Sequence, residues 1–112
     1  MKQFLLAASL LTFIGSQASA GFQSNRGDWN DLPSAQKVGF VQGVLTEWMQ
    51  RFTSDSESII AQKEKVSRCV IDEDFRGSDL VDIIDGHYTN LENWTDPPHI
   101  ALRVGLLKVC RF

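Results

Sequence analysis

Apolar residues fall into one unbroken run followed by a series of periodic stripes. Phe4 to Ile14 is almost wholly apolar. After a polar stretch, Val38, Val41, Leu45, Trp48 and Phe52 recur every three or four residues, with Phe40, Val44 and Met49 widening the stripe. That period belongs to a helix with one buried side. Pro33-Ser34 opens it, with Ser34 as the expected N-cap. A second, weaker helix is expected after a Ser54–Glu57 capping box, with Ile59, Ile60 and Val66 inward and Lys63, Glu64 and Lys65 solvated. Cys69 to Gly77 reads as a loop. Ser78 then caps a third helix that buries Leu80, Ile83, Ile84, His87, Tyr88 and Leu91 and exposes Asp79, Asp82 and Asp85. After a turn from Asn90 to Pro98, Asp96 caps a last helix with Ile100, Val104, Leu107 and Cys110 on its inner face. Strand-like alternation is convincing nowhere. The expected fold is all-α, a small bundle of three to four short helices.

Gly39 and Gly43 share one face of the first helix, where each costs about 1 kcal/mol against Ala. The expected compensation is a close helix crossing over that face. The alternative is a locally weak helix.

Residues 1–20 read as a secretory signal peptide: Lys2 is the basic head, Phe4–Ile14 the apolar segment, and Ala18-Ser19-Ala20 the small residues before cleavage. The apolar run is too short for a bilayer-spanning mature helix, so no stable membrane insertion is expected after cleavage behind Ala20. The compact signal has a bacterial look, so a periplasmic location is expected. Residues 21–33 are expected to be an extended lead-in anchored by Trp29, and residues 34–112 a single helical domain. Arg26-Gly27-Asp28 spells an adhesion tripeptide, too short to carry weight.

The 112 residues, 43% hydrophobic and 22% charged, suit one small ordered domain. A net charge of −3 disfavours nucleic acid, which is held by Lys and Arg on phosphates, and permits a basic protein partner. Cys69 and Cys110 are the only cysteines. In an oxidising compartment they have a single pairing, so a disulfide is expected. A redox site would call for a CxxC motif, and a zinc finger for His partners at the right spacing.

No spacing of catalytic type appears, neither a nucleophile elbow, a phosphate loop nor HExxH, and no cofactor is expected. Asp72-x-Asp74-x-Arg76-Gly77 begins like a calcium loop but places the cation Arg76 fifth and Ile83 twelfth, where a bidentate Glu belongs. No metal and no enzymatic activity are expected.

Three segments carry a family resemblance. Gly39-Phe40-Val41-Gln42-Gly43-Val44 looks like a Gly-aromatic-aliphatic-x-Gly helix. Cys69, a short loop and Ser78-Asp79-Leu80-Val81-Asp82-Ile83-Ile84 look like a Cys–loop–capped-helix unit. Tyr88 through Pro98, Ala101-Leu102 and Cys110 look like a last helix that begins at Pro and closes on Cys. Together they resemble the Tai-like periplasmic immunity proteins of type VI secretion systems, which are helical and compared in fold with the HdeA acid-stress chaperone. The resemblance implies stoichiometric blocking of a secreted antibacterial effector. On that basis Tyr88 and Trp94 are candidate aromatic anchors, with core packing as their alternative. Asp72, Glu73 and Asp74 are candidates to steer a basic partner, with simple solvation as theirs. An acid-stress chaperone and an envelope or host-interaction protein are the other functions considered. Homodimerisation stays open.

Overall fold

A computed structural model describes residues 23–111. The signal-peptide reading falls outside those residues. Among the described residues every regular element is helical: α1 (Arg26–Asn30), α2 (Ser34–Met49), α3 (Glu57–Asp72), α4 (Gly77–His87), a 3-10 turn (Leu91–Asn93) and α5 (Pro98–Val109). None of these helices is long and apolar enough to cross a membrane.

The lead-in is not extended. Asn25 caps α1 by accepting from the Asp28 N–H, and the single turn drives Trp29 fully into the core. The expected anchor is thus a central residue of the bundle, in edge-on contact with Phe40.

Several helix starts differ from the expected ones by a residue or two. Ser34 lies inside α2, because the extended Pro33 presents its carbonyl to the N–H groups of Gln36 and Lys37. Ser56, not Ser54, caps α3 through the Ile59 N–H. Arg76, not Ser78, precedes α4, and Asp79 reaches back to accept the Arg76 N–H. Pro97 precedes α5, while the Asp96 carboxylate is engaged by His87 instead of capping.

The larger difference is the length of α3. Cys69 to Asp72 form its last turn and are not a loop. The helix ends in a Schellman motif: Phe75 N–H bonds the Val70 carbonyl, Asp74 N–H bonds that of Ile71, and Asp74 takes the left-handed conformation at φ 51°. Asp is among the few non-Gly residues that adopt it readily. Val70 and Phe75 then meet the core together.

The core joins Trp29, Val41, Trp48, Val66, Leu80, Ile84, Tyr88, Ala101, Leu102 and Leu106. Each large aliphatic side chain fully buried there contributes about 1.5–3 kcal/mol. α4 packs most extensively on α5 and next on α2, whereas α3 rests mainly on α2. The buried face of α5 is Pro98, Ala101, Leu102 and Leu106, rotated from the expected one, so Ile100, Val104 and Leu107 are only half-buried. Leu91, expected inside, is 67% exposed because α4 stops at His87.

Gly39 and Gly43 do not sit at a helix crossing. Both are exposed, and a Cβ at either would meet nothing within 4 Å. The close approaches are elsewhere: a Cβ on Gly77 would lie 2.7 Å from Val38 Cγ1, and one on Gly105 would collide with Ile83 Cγ2. Gly39→Ala and Gly43→Ala are therefore expected to stabilise by up to about 1 kcal/mol each through helix propensity. Gly105→Ala is expected to cost about 1–3 kcal/mol by overpacking. Thermal melting of the three variants measures both signs.

Candidate functional site

A concavity of about 600 Å³ lies between α2, α3 and the start of α5. Its apolar wall is Phe40, Val44, Trp48, Phe52 and Ile59, and its polar rim is Glu47, Asp55, Lys63, His99 and Arg103. The volume suits a ligand or the anchoring side chains of a partner. Local structure explains why it stays open. α2 ends at Met49, so Phe52, which continues the α2 stripe in sequence, falls on the connecting segment and is 53% exposed. Ile59 in the first turn of α3 is 43% exposed beside it. Trp48 is nearly buried at the base, with the Arg103 guanidinium 5.1 Å from its ring centre.

One end of the groove is held by a clasp. Lys63, expected on a solvated face, is only 7% exposed. Its ammonium donates to the Gln50 carbonyl at 2.6 Å and to Asp55 Oδ2 at 2.9 Å, and sits 5.1 Å from the Phe52 ring centre. The buried ion is satisfied by these partners, as an interior charge requires. Asp55 Oδ2 also accepts the Phe52 N–H. That backbone hydrogen bond first, and the Lys63 hydrogen bond second, hold the Asp55 carboxyl below its usual range. An exposed Arg51–Glu64 pair at 3.1 Å parallels the clasp.

The other candidate residues do not line the groove, and the aromatic ones do not assemble with the acidic ones. Tyr88 is a core residue, 5% exposed, its hydroxyl donating to the Asp96 carbonyl at 2.6 Å. Burial first, and the nearby Asp96 charge second, push its pKa up to about 12. It therefore stays a neutral donor. Trp94 is 41% exposed, but its indole N–H donates to the Tyr88 carbonyl and its ring carries the Arg26 guanidinium at 4.2 Å. Asn93 donates to the His87 carbonyl, and His87 Nε2 lies 2.8 Å from Asp96 Oδ2. These bonds shape the turn leading into α5. Asp72, Glu73 and Asp74 are exposed at the opposite end of α4, about 16 Å away along its eleven residues. The aromatic candidates and the acidic candidates thus form two separate places.

Cys69 and Cys110 are bonded, with their Cα atoms 5.8 Å apart, joining the last turn of α3 to the end of α5. Among the described residues no group of three or more His, Cys, Asp or Glu converges to hold a metal ion.

Sequence reasoning missed Lys63 and Asp55 as partners, and Phe52 and Ile59 as a mouth. The one available signal was Phe52, the last residue of an apolar stripe, followed at once by Thr53-Ser54-Asp55-Ser56, which forces the helix to end near it. Comparison with protein-family models, curated proteins and solved structures finds no match to this chain.

Proposed function

We propose that the protein is an exported, periplasmic binding protein of the immunity type, which neutralises a secreted antibacterial effector by stoichiometric docking and not by catalysis. The observation that supports this reading best is the open groove with Phe52 and Ile59 at its mouth above Trp48. Interfaces of this kind concentrate their energy in a few aromatic and Arg anchors inside a polar rim, and here Arg103, Glu47 and His99 form such a rim. The disulfide suits an oxidising compartment. In this reading Asp72, Glu73 and Asp74 act from a distance, on the rate of association. Co-expression with periplasm-directed effectors encoded in the same genome tests it. One effector's toxicity should be relieved, and Phe52→Ala should weaken the complex about thirtyfold, the loss of one hot-spot residue. Relief of no effector's toxicity would overturn the proposal.

The clasp favours a second reading, an acid-stress chaperone. Asp55 has a lowered folded pKa. Its contribution is therefore fully present above the unfolded value of about pH 4 and is lost as pH falls through the lowered folded value. Protonation removes the anionic partner of Lys63 and loosens α3 over the groove. Asp55→Asn should accordingly be less stable than wild type at about pH 7, with the difference shrinking below about pH 4. Chemical unfolding at a series of pH values measures this. Binding of a hydrophobic dye at about pH 2 by the wild type, with recovery on neutralisation, would favour the chaperone over the immunity reading.

A further inference from the structure

A second cavity, polar and about 340 Å³, lies where α1, α2 and the end of α4 meet, away from the groove. Arg26 and Asn30, one turn apart on α1, form one side. Lys37 of α2 faces them, and Asp85, Tyr88 and Thr89 complete the wall.

Two cations converge here with no carboxylate paired to either. The ion pairs among the described residues are Arg51–Glu64, Lys63–Asp55 and His87–Asp96, and neither Arg26 nor Lys37 takes part. Each is held by an aromatic ring instead: the Arg26 guanidinium stacks on Trp94 at 4.2 Å, and the Lys37 ammonium sits 5.2 Å from the Trp29 ring centre. The Arg26 N–H also bonds the Trp94 carbonyl at 3.0 Å, fixing its backbone. The carboxylate within reach, Asp85, is tied through Oδ1 to the Trp29 indole N–H at 2.8 Å. The Tyr88 and Thr89 hydroxyls donate to the Asp96 and Gly86 carbonyls, so they offer the cavity no proton. What remains is a donor-rich recess: a guanidinium, an ammonium and the Asn30 amide, net positive on a chain of net charge −3.

We propose that this seam binds a small oxyanion, a carboxylate or a phosphate, between the Arg26 guanidinium and the Lys37 ammonium, with Asn30 as a third donor. The aromatic rings pre-position both cations, so little side-chain freedom is lost on binding. Charge-assisted hydrogen bonds to an anion are the stronger kind, and a planar guanidinium suits a two-oxygen grip. Asp85 opposes the anion and sets an upper limit on affinity.

The test is an NMR titration of the uniformly 15N-labelled protein with sodium phosphate and, separately, sodium acetate, against sodium chloride at matched ionic strength. Phosphate or acetate should shift the indole N–H resonances of Trp29 and Trp94 saturably and leave that of Trp48, in the other cavity, in place. Saturation by phosphate alone assigns a tetrahedral ligand, and saturation by acetate a carboxylate. Lys37→Met keeps the apolar stem over Trp29 and should weaken binding about tenfold. Asp85→Asn keeps an oxygen for the Trp29 indole while removing the opposing charge, and should tighten binding severalfold. Equal shifts with chloride, or an affinity unchanged in Asp85→Asn, would overturn the proposal.

Discussion

Replacing Cys69 and Cys110 together by Ser is expected to lower the unfolding free energy by about 4 kcal/mol, the chain-entropy value for a bridge spanning 41 positions. In a domain of this size, with a total stability of roughly 5–15 kcal/mol, that is a large share. The melting temperature should fall by roughly 15 °C or more. The loss should not be uniform. α3 rests mainly on α2, and the bond fastens its far end to α5. Without the bond, α3 amides should exchange with solvent well before those of α4 and α5, which share the most extensive contact. Thermal melting with and without reductant, followed by hydrogen exchange resolved by residue, measures both effects. A reduced protein that melts within a few degrees of the oxidised one would show that packing alone holds α3.

Trp29→Ala is expected to cost about 3–5 kcal/mol, as for other large aromatic side chains removed from a core. Trp29 is fully buried, meets Phe40 edge-on, and lies in a single turn that would otherwise have little reason to stay docked. Its loss also leaves Asp85 without the indole donor. Trp29→Phe separates the two contributions. It keeps an aromatic ring and removes the hydrogen bond, whose net value is about 1 kcal/mol. Denaturant unfolding of the two variants should therefore differ by severalfold in their effect. Equal losses would assign the anchor to the hydrogen bond alone.

Helical class, the order of α2 to α5 and the cysteine bridge were legible because each rests on a local or singular signal, whereas the short α1 was read as extended chain. Apolar period marks α2 and α4, paired prolines mark the start of α5, and two cysteines leave one pairing. What escaped depends on neighbours brought together by folding. Gly39 and Gly43 share a face, but which face a helix buries is decided by its partners, and here that face is solvent. Gly77 and Gly105, unremarkable in the sequence, are the ones pressed against side chains. Lys63 sits in a run of charges and looks solvated until Gln50 and Asp55 are folded beside it. Asp96 had the residue type of a cap, yet His87 lies close enough to claim its carboxylate. The rotated face of α5 has the same origin. Its apolar residues surround much of the helix, so period alone leaves the inner side undetermined.

The Cys69–Cys110 bond closes α4, the turn and α5 into a covalent ring, from which α1, α2 and most of α3 extend as a single arm. A backbone cut therefore has two different outcomes. A protease that cuts the exposed turn at Glu73 or Asp74 leaves both pieces joined through sulfur, with the groove intact. A cut at exposed Thr53 or Ser54 lies outside the ring. It leaves the segment that carries Phe40, Val44 and Trp48, one wall of the groove, held only by noncovalent packing, mainly on α4.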